Sequence, residues 1–161
     1  MLNEHIASQI YANFAFAPTL GQKKIIEALA SWLSDADTER IVILNGYAGT
    51  GKTSIIAAFV ATLKKLRIKP VMLAPTGRAA KVMARHTGLG ASTIHKKIYR
   101  QKSSADPEPG FSLDFNREKD ACFIVDEASM LSASADAGSP FGSGSLLDDL
   151  FQYVRQGTRC R

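Results

Sequence analysis

The sequence predicts an α/β fold: an incomplete parallel sheet flanked by helices, with an N-terminal helical segment ahead of it. Three continuously apolar runs, Ile41–Leu44, Val71–Ala74 and Cys122–Val125, have the composition of strands buried on both faces. Stretches with helical apolar spacing separate them, and strands alternating with helices build a parallel sheet. With 161 residues, 45% apolar and 22% charged, the chain can bury a core and is not of disordered composition. No stretch approaches the roughly 20 apolar residues of a membrane span. Met1 to Leu20 carries Glu4 but no Lys or Arg, so it lacks the basic start of a secretory signal. Cys122 and Cys160 are too few for a disulfide scaffold and lack metal-ligand spacing, which leaves buried or surface thiols in a reducing cytoplasm.

Taken in order, Glu4 to Phe14 places Ile6, Ile10 and Phe14 four apart, the repeat of one helix face. Pro18 breaks it. Thr19 opens a second helix with an apolar stripe of Leu20, Ile25, Ile26, Leu29, Trp32 and Leu33, and Thr19 with Gln22 matches a capping box. Residues 1–39 thus form a helical segment, and 40–161 hold the sheet. After Ile41–Leu44 comes a glycine-rich turn, then a helix from Lys52 to about Leu66. Pro70 starts the second strand, and Thr76 caps a helix from Gly77 to about Arg85, ended by Gly88 and Gly90. Ser92 or Thr93 opens a short helix through Tyr99. Gln101 to Gly110 reads as a surface loop. Beyond the third strand, Ser132–Ser145 is a loop of small residues, and Leu146 to about Arg155 is an amphipathic helix.

Charge is unevenly placed. Arg40 to Ala105 holds 13 Lys or Arg and no acid, although the chain has 15 acids and a net charge of only +5. Such a distribution suits a polyanionic partner, or else a solvated basic face.

Gly46-Tyr47-Ala48-Gly49-Thr50-Gly51-Lys52-Thr53 matches GxxxxGK[ST] between a strand and a helix. Glycines let successive N–H groups face a phosphate chain, and the helix N-terminus adds partial positive charge. Gly46, Ala48, Gly49, Thr50, Gly51, Lys52, Thr53 and Ser54 are the expected nucleotide-binding residues. Lys52 suits the β- and γ-phosphates, and the Thr53 hydroxyl suits Mg²⁺. Asp126-Glu127, ending the third strand, supplies a second metal ligand in Asp126 and a water-polarising carboxylate in Glu127. This acidic pair favours hydrolysis over phosphoryl transfer, and no Asn-Lys-x-Asp guanine reader occurs. Thr76, the amides at the Gly77 helix start and Arg78 follow a parallel strand, on the edge where ligands bind. From Gly77 to Lys102 there are seven basic residues and no acids, with Tyr99 for base stacking. An ordinary capped helix with solvated lysines would read the same way.

In this order and spacing the motifs resemble the first motor domain of superfamily 1B DNA helicases. The likeness is to the RecD-like group, which includes the alpha chain of exodeoxyribonuclease V and stand-alone relatives. GYAGTGKT resembles that family's Walker A motif, APTGRAAKVM its motif Ia, STIH its next DNA-contacting motif and VDEASM its Walker B motif. Gln22 is similar to the glutamine that reads adenine in these motors. The resemblance implies a RecA-like P-loop NTPase fold, dependence on ATP and Mg²⁺, stimulation by single-stranded DNA and 5′-to-3′ translocation in DNA repair. It makes Lys52, Asp126 and Glu127 the catalytic set, and Pro75, Thr76, Gly77, Arg78, Thr93 and His95 the DNA-facing set. Other helicase or nuclease subunits are further partners it implies.

The chain departs from the family pattern at its C-terminal side. No Gly-Asp pair occurs, so the γ-phosphate-sensing Gly-Asp-x-x-Gln strand and a second RecA-like domain are not expected within these 161 residues. By analogy that strand lies between the Walker A and Walker B strands, and its loss leaves both neighbours facing a gap. The expectation is a motor fragment that does not unwind DNA alone. A small-molecule P-loop kinase and a non-catalytic nucleic-acid-binding remnant are the alternative readings.

Overall fold

A computed structural model describes residues 2–47, 49–103, 109–131 and 138–161. The chain packs as two compact units, Met1–Pro70 with Arg161, and Val71–Cys160.

The first unit is helical. α1 (Leu2–Ala12) buries Ile6 and Ile10, one turn apart, and packs against α2 (Leu20–Ser34) and α3 (Lys52–Lys65). It ends at Ala12, so Phe14 lies beyond it. The capping box at Thr19 forms: its hydroxyl accepts the Gln22 N–H at 3.3 Å, and Gln22 Oε1 accepts the Thr19 N–H at 2.9 Å. From the expected α2 stripe, Ile26, Leu29 and Leu33 are buried with Ala30, whereas Leu20, on the first turn, is exposed. Arg161 closes the other end of α2. Its guanidinium donates to the carbonyls of Trp32 at 2.9 Å and Leu33 at 3.2 Å and lies 5.4 Å from the Trp32 ring centre. A cation there complements the negative end of the helix dipole. α3 buries Ile55, Ala58, Phe59 and Leu63. Its buried Thr62 hydroxyl is satisfied by donating to the Ala58 carbonyl at 2.9 Å and accepting from Asn13 Nδ2 at 3.0 Å.

One expected strand is missing. Ile41–Leu44 forms no strand, and Ile41, Val42 and Ile43 are 55%, 38% and 84% exposed. An apolar β-branched run specifies a buried strand only where a neighbouring strand takes up its backbone groups. Among the described residues none pairs with it.

The second unit carries the sheet. β1 (Lys69–Ala74) sits in the middle, with β2 (Ala91–Thr93) on one edge and β5 (Ala121–Val125) on the other, in a three-stranded parallel order β2-β1-β5. The register places Met72 opposite Ala91 and Ala74 opposite Thr93. Strand alternation sorts the two faces. Val71 and Leu73 join Ala121, with Ile94 and Ile98 of α5 (Ile94–Ile98) and Leu150 and Tyr153 of α6 (Leu146–Gln156), in the main core. Ala74 instead packs with Ala79 and Ala80 of α4 (Gly77–Thr87). Small residues there bring helix and strand close. Gly88, at φ +67°, ends α4 in the left-handed conformation that glycine adopts without strain.

Two short strands, β3 (Tyr99–Gln101) and β4 (Phe111–Leu113), pair antiparallel with Gln101 opposite Phe111. The sequence instead suggests a helix running through Tyr99 and a surface loop over Gln101 to Gly110, whose central residues 104–108 lie outside the described ones. Of the Ser132–Ser145 loop, 132–137 also lie outside. The remainder docks on β4: the Phe111 N–H donates to the Pro140 carbonyl and the Gly142 N–H to the Phe111 carbonyl, at 2.9 and 3.0 Å. A 3₁₀ turn, η1 (Ala128–Met130), follows β5.

Candidate functional site

In the first unit, residues 45–47 and 49–51 precede α3. Gly49 and Gly51 have φ of +80° and +84°, a region in which a Cβ is strained. A Cβ on Gly46 would lie 3.0 Å from Thr50 Oγ1, so this glycine permits a close approach within the loop. Gly51 is the N-cap of α3, and no side chain caps that helix end; its first turn carries no acid. The first-turn amides and the positive end of the helix dipole are thereby left for an anion. Lys52 Nζ donates to the carbonyls of Gly46 and Tyr47, the latter at 2.7 Å, which folds the ammonium back over its own loop. Thr50 braces the turn, its hydroxyl donating to the Tyr47 carbonyl at 2.7 Å. Thr53 and Ser54 are exposed on the first turn of α3. Gln22 Nε2 reaches the Thr50 carbonyl at 3.4 Å. The structure therefore gathers Gln22, Gly46, Gly49, Thr50, Gly51, Lys52, Thr53 and Ser54; Ala48 lies outside the described residues.

In the second unit, the C-terminal ends of the parallel strands form one sheet edge. β1 ends at Ala74 and delivers Pro75, Thr76, Gly77 and Arg78; β2 ends at Thr93 and delivers His95; β5 ends at Val125 and delivers Asp126 and Glu127. The Asp126 N–H donates to the Leu73 carbonyl at 3.0 Å, continuing the β1 pairing one residue past β5. Asp126 Oδ1 accepts the Glu127 N–H at 2.9 Å, and Glu127 has a φ of +52°, unusual for a residue with a side chain. Both carboxylates are exposed, as are Thr76, Gly77 and Arg78. Among the described residues no group of three or more His, Cys, Asp or Glu could hold a metal ion, so a metal on Asp126 needs hydroxyl, water or phosphate oxygens besides.

Two of the expected nucleic-acid contacts have structural work as well. The Thr76 hydroxyl caps α4 by accepting the Ala79 N–H, and the Thr93 hydroxyl caps α5 by accepting the Lys96 N–H, each at 3.2 Å. His95 is half-buried and packs edge-on against Phe141, ring centres 4.9 Å apart, with Tyr99 at 5.7 Å. Burial holds its imidazole below the usual histidine range.

Sequence reasoning missed the cluster around that histidine. Phe111 stacks on Phe141 at 4.6 Å, and Tyr99 lies 5.2 Å from Phe141. The buried Asp149 Oδ2 accepts from the Tyr99 hydroxyl at 2.6 Å and from the Ser143 N–H at 3.0 Å. Tyr99 had been read as a base-stacking residue; it is 8% exposed and belongs to the core. Asp149 sits among the apolar positions of α6, and a lone acid on an apolar face was the available signal.

An AAA domain family model matches residues 19–137, from the α2 cap through both motif regions. An ATP-dependent RecD2 DNA helicase of Deinococcus radiodurans is 35% identical over 81 residues, which make up 50% of this chain and 11% of that protein. The chain thus spans a small part of that relative's length.

Proposed function

The chain belongs to the AAA domain family, and on that premise we propose that it is the ATP-binding and ATP-hydrolysing motor domain of a 5′-to-3′ DNA helicase acting on single-stranded DNA. The observation that carries this reading is the uncapped N-terminus of α3, entered through Gly49 and Gly51 in left-handed conformation, with Lys52 as the first helical residue. That arrangement fits a phosphate chain: first-turn amides with no side-chain cap, the positive end of a helix dipole and an ammonium on the first helical residue, with no acid in the turn. The likeness to a RecD2 helicase supports the choice of a DNA motor over a small-molecule kinase.

In this reading Lys52 leaves the Gly46 and Tyr47 carbonyls to meet the β- and γ-phosphates. Thr53 and Asp126 are the residues that would offer oxygens to Mg²⁺, which would supply positive charge to the phosphates. Glu127 accepts a proton from the attacking water. Gln22 adjoins the loop and contacts adenine. Pro75, Thr76, Gly77, Arg78, Thr93 and His95 lie on the edge assigned to DNA. Arg78 takes a backbone phosphate there, and the backbone around Thr76 and Thr93 makes the remaining contacts while their hydroxyls cap helices. Residues 1–39 form the adenine-side segment and 40–161 the ATPase portion. A cytoplasmic setting, repair function and association with further helicase or nuclease subunits, as in exodeoxyribonuclease V, follow the same analogy.

The test is ATP hydrolysis by the chain with and without oligo(dT). Single-stranded DNA should raise turnover, and Glu127→Gln should abolish turnover while ATP binding persists. Turnover unaffected by both DNA and Glu127→Gln would refute the motor assignment.

A further inference from the structure

Resting on the nucleotide-binding reading above, we propose that Gln22 is a positioning residue for the phosphate loop, beyond any contact with a base. Both ends of its carboxamide are engaged. Oε1 accepts the Thr19 N–H at 2.9 Å, which anchors the side chain to the start of α2, and Nε2 donates to the Thr50 carbonyl at 3.4 Å. A planar trans peptide points its carbonyl and the following N–H in opposite directions. Drawing the Thr50 carbonyl toward Gln22 therefore turns the Gly51 N–H away from α2. Gly51 lies directly against the carboxamide, since a Cβ there would overlap Gln22 Nε2. Its φ of +84° makes this peptide the hinge between loop and helix. The neighbouring brace is set from inside the loop, where the Thr50 hydroxyl donates to the Tyr47 carbonyl. Gln22 thus ties a rigid helix end to the peptide whose amide meets phosphate, and orients that amide before any ligand arrives.

A base-reading glutamine and a loop-positioning one differ in their effect on a ligand that has no base. Inorganic tripolyphosphate with Mg²⁺ is that probe, titrated calorimetrically into the 161-residue chain beside ATP. Replacing Gln22 by Met keeps side-chain length and removes both hydrogen bonds. Gln22→Met should weaken tripolyphosphate about fivefold, the usual worth of one such bond, and ATP at least as much. Thr19→Ala, which removes the capping hydroxyl but leaves the Thr50 contact, should bind tripolyphosphate as the wild type does. The Gly51 amide resonance should shift in Gln22→Met and stay in place in Thr19→Ala, a signature that loss of the cap alone does not produce. Where Gln22→Met fails to fold, Gln22→Glu keeps the acceptor for Thr19 and is read by the same Gly51 resonance. Unchanged tripolyphosphate affinity beside weakened ATP binding would overturn the proposal and leave base contact alone. Wild-type chain that binds neither ligand would overturn the nucleotide reading, and the positioning role with it.

Discussion

The Tyr99 hydroxyl donating to buried Asp149 is the polar contact with the largest expected effect on stability. Tyr99→Phe removes one donor at 2.6 Å from a carboxyl group that is 3% exposed and keeps the ring packing on Phe141. A hydrogen bond to a charged group contributes about 1.5–3 kcal/mol. The Ser143 N–H still serves the same oxygen, which keeps the cost toward the middle, about 2 kcal/mol. For a chain of this size that corresponds to roughly 4–8 °C in Tm. pH provides a second reading. Burial first, then the hydrogen bond and charge of Asp149, raise the Tyr99 phenol above its ordinary value of 10.0. A raised folded pKa means that the stabilisation is complete below pH 10 and is lost as pH rises through the folded value, because the unfolded chain releases its proton first. Above pH 10 the wild type should therefore lose stability that the Phe variant never had. Urea unfolding followed by far-UV circular dichroism at pH 7 and pH 11 measures both gaps. The account predicts about 2 kcal/mol at pH 7 and a smaller gap at pH 11. A gap below about 0.5 kcal/mol at pH 7, or one constant with pH, would refute it.

Other residues give further expectations. Burial lowers the His95 pKa, so the folded chain favours neutral imidazole; its contribution is complete above the ordinary value of 6.5 and is lost as pH falls through the folded value. The NMR titration of its ring protons should show a midpoint below 6.5 that returns toward normal in Phe141→Ala; a wild-type midpoint at or above 6.5 contradicts the burial. Arg161→Ala should lower stability by about 1 kcal/mol in urea unfolding by uncapping α2, and an unchanged midpoint would show the cap to be inert. Gly51→Ala should abolish stabilisation by nucleotide in a thermal-shift assay, since it strains φ +84° and displaces Gln22; wild-type response to nucleotide would count against the loop geometry.

Much of the fold was legible where local chemistry decides it. Thr19 and Gln22 announced a capping box and Gly88 a helix end, because each depends on neighbours in sequence; the apolar runs Val71–Ala74 and Cys122–Val125 announced two strands, and both find partners in the sheet. The glycine loop was legible for the same reason: left-handed Gly51 is the second fixed glycine of the GxxxxGK pattern, while left-handed Gly49 falls at one of its variable positions. Ile41–Leu44 shows where this reasoning stops. Its composition states a preference for strand, but a strand requires a partner, and partnership is a property of the whole sheet. The β3–β4 hairpin escaped for a related reason, since three-residue strands are too short to show a period. The aromatic cluster at His95 brings together residues from 95 to 149, and no local pattern marks contacts across that separation. Thr76 and Thr93 read both as helix-opening residues and as motif residues facing DNA, and the capping role, which depends on the next few residues, is the one their hydroxyls take.

The central claim is that the glycine loop and Lys52 bind the phosphates of ATP. Thermal unfolding of the chain with a non-hydrolysable ATP analogue and Mg²⁺, with Lys52→Ala as control, tests it most directly. At about 100 times its dissociation constant, a ligand that binds only the folded state adds roughly 2.7 kcal/mol. That is about 5–11 °C in Tm for a chain of this length. The account predicts that shift in the wild type and its loss in Lys52→Ala; no shift, or one of equal size in both proteins, would contradict it.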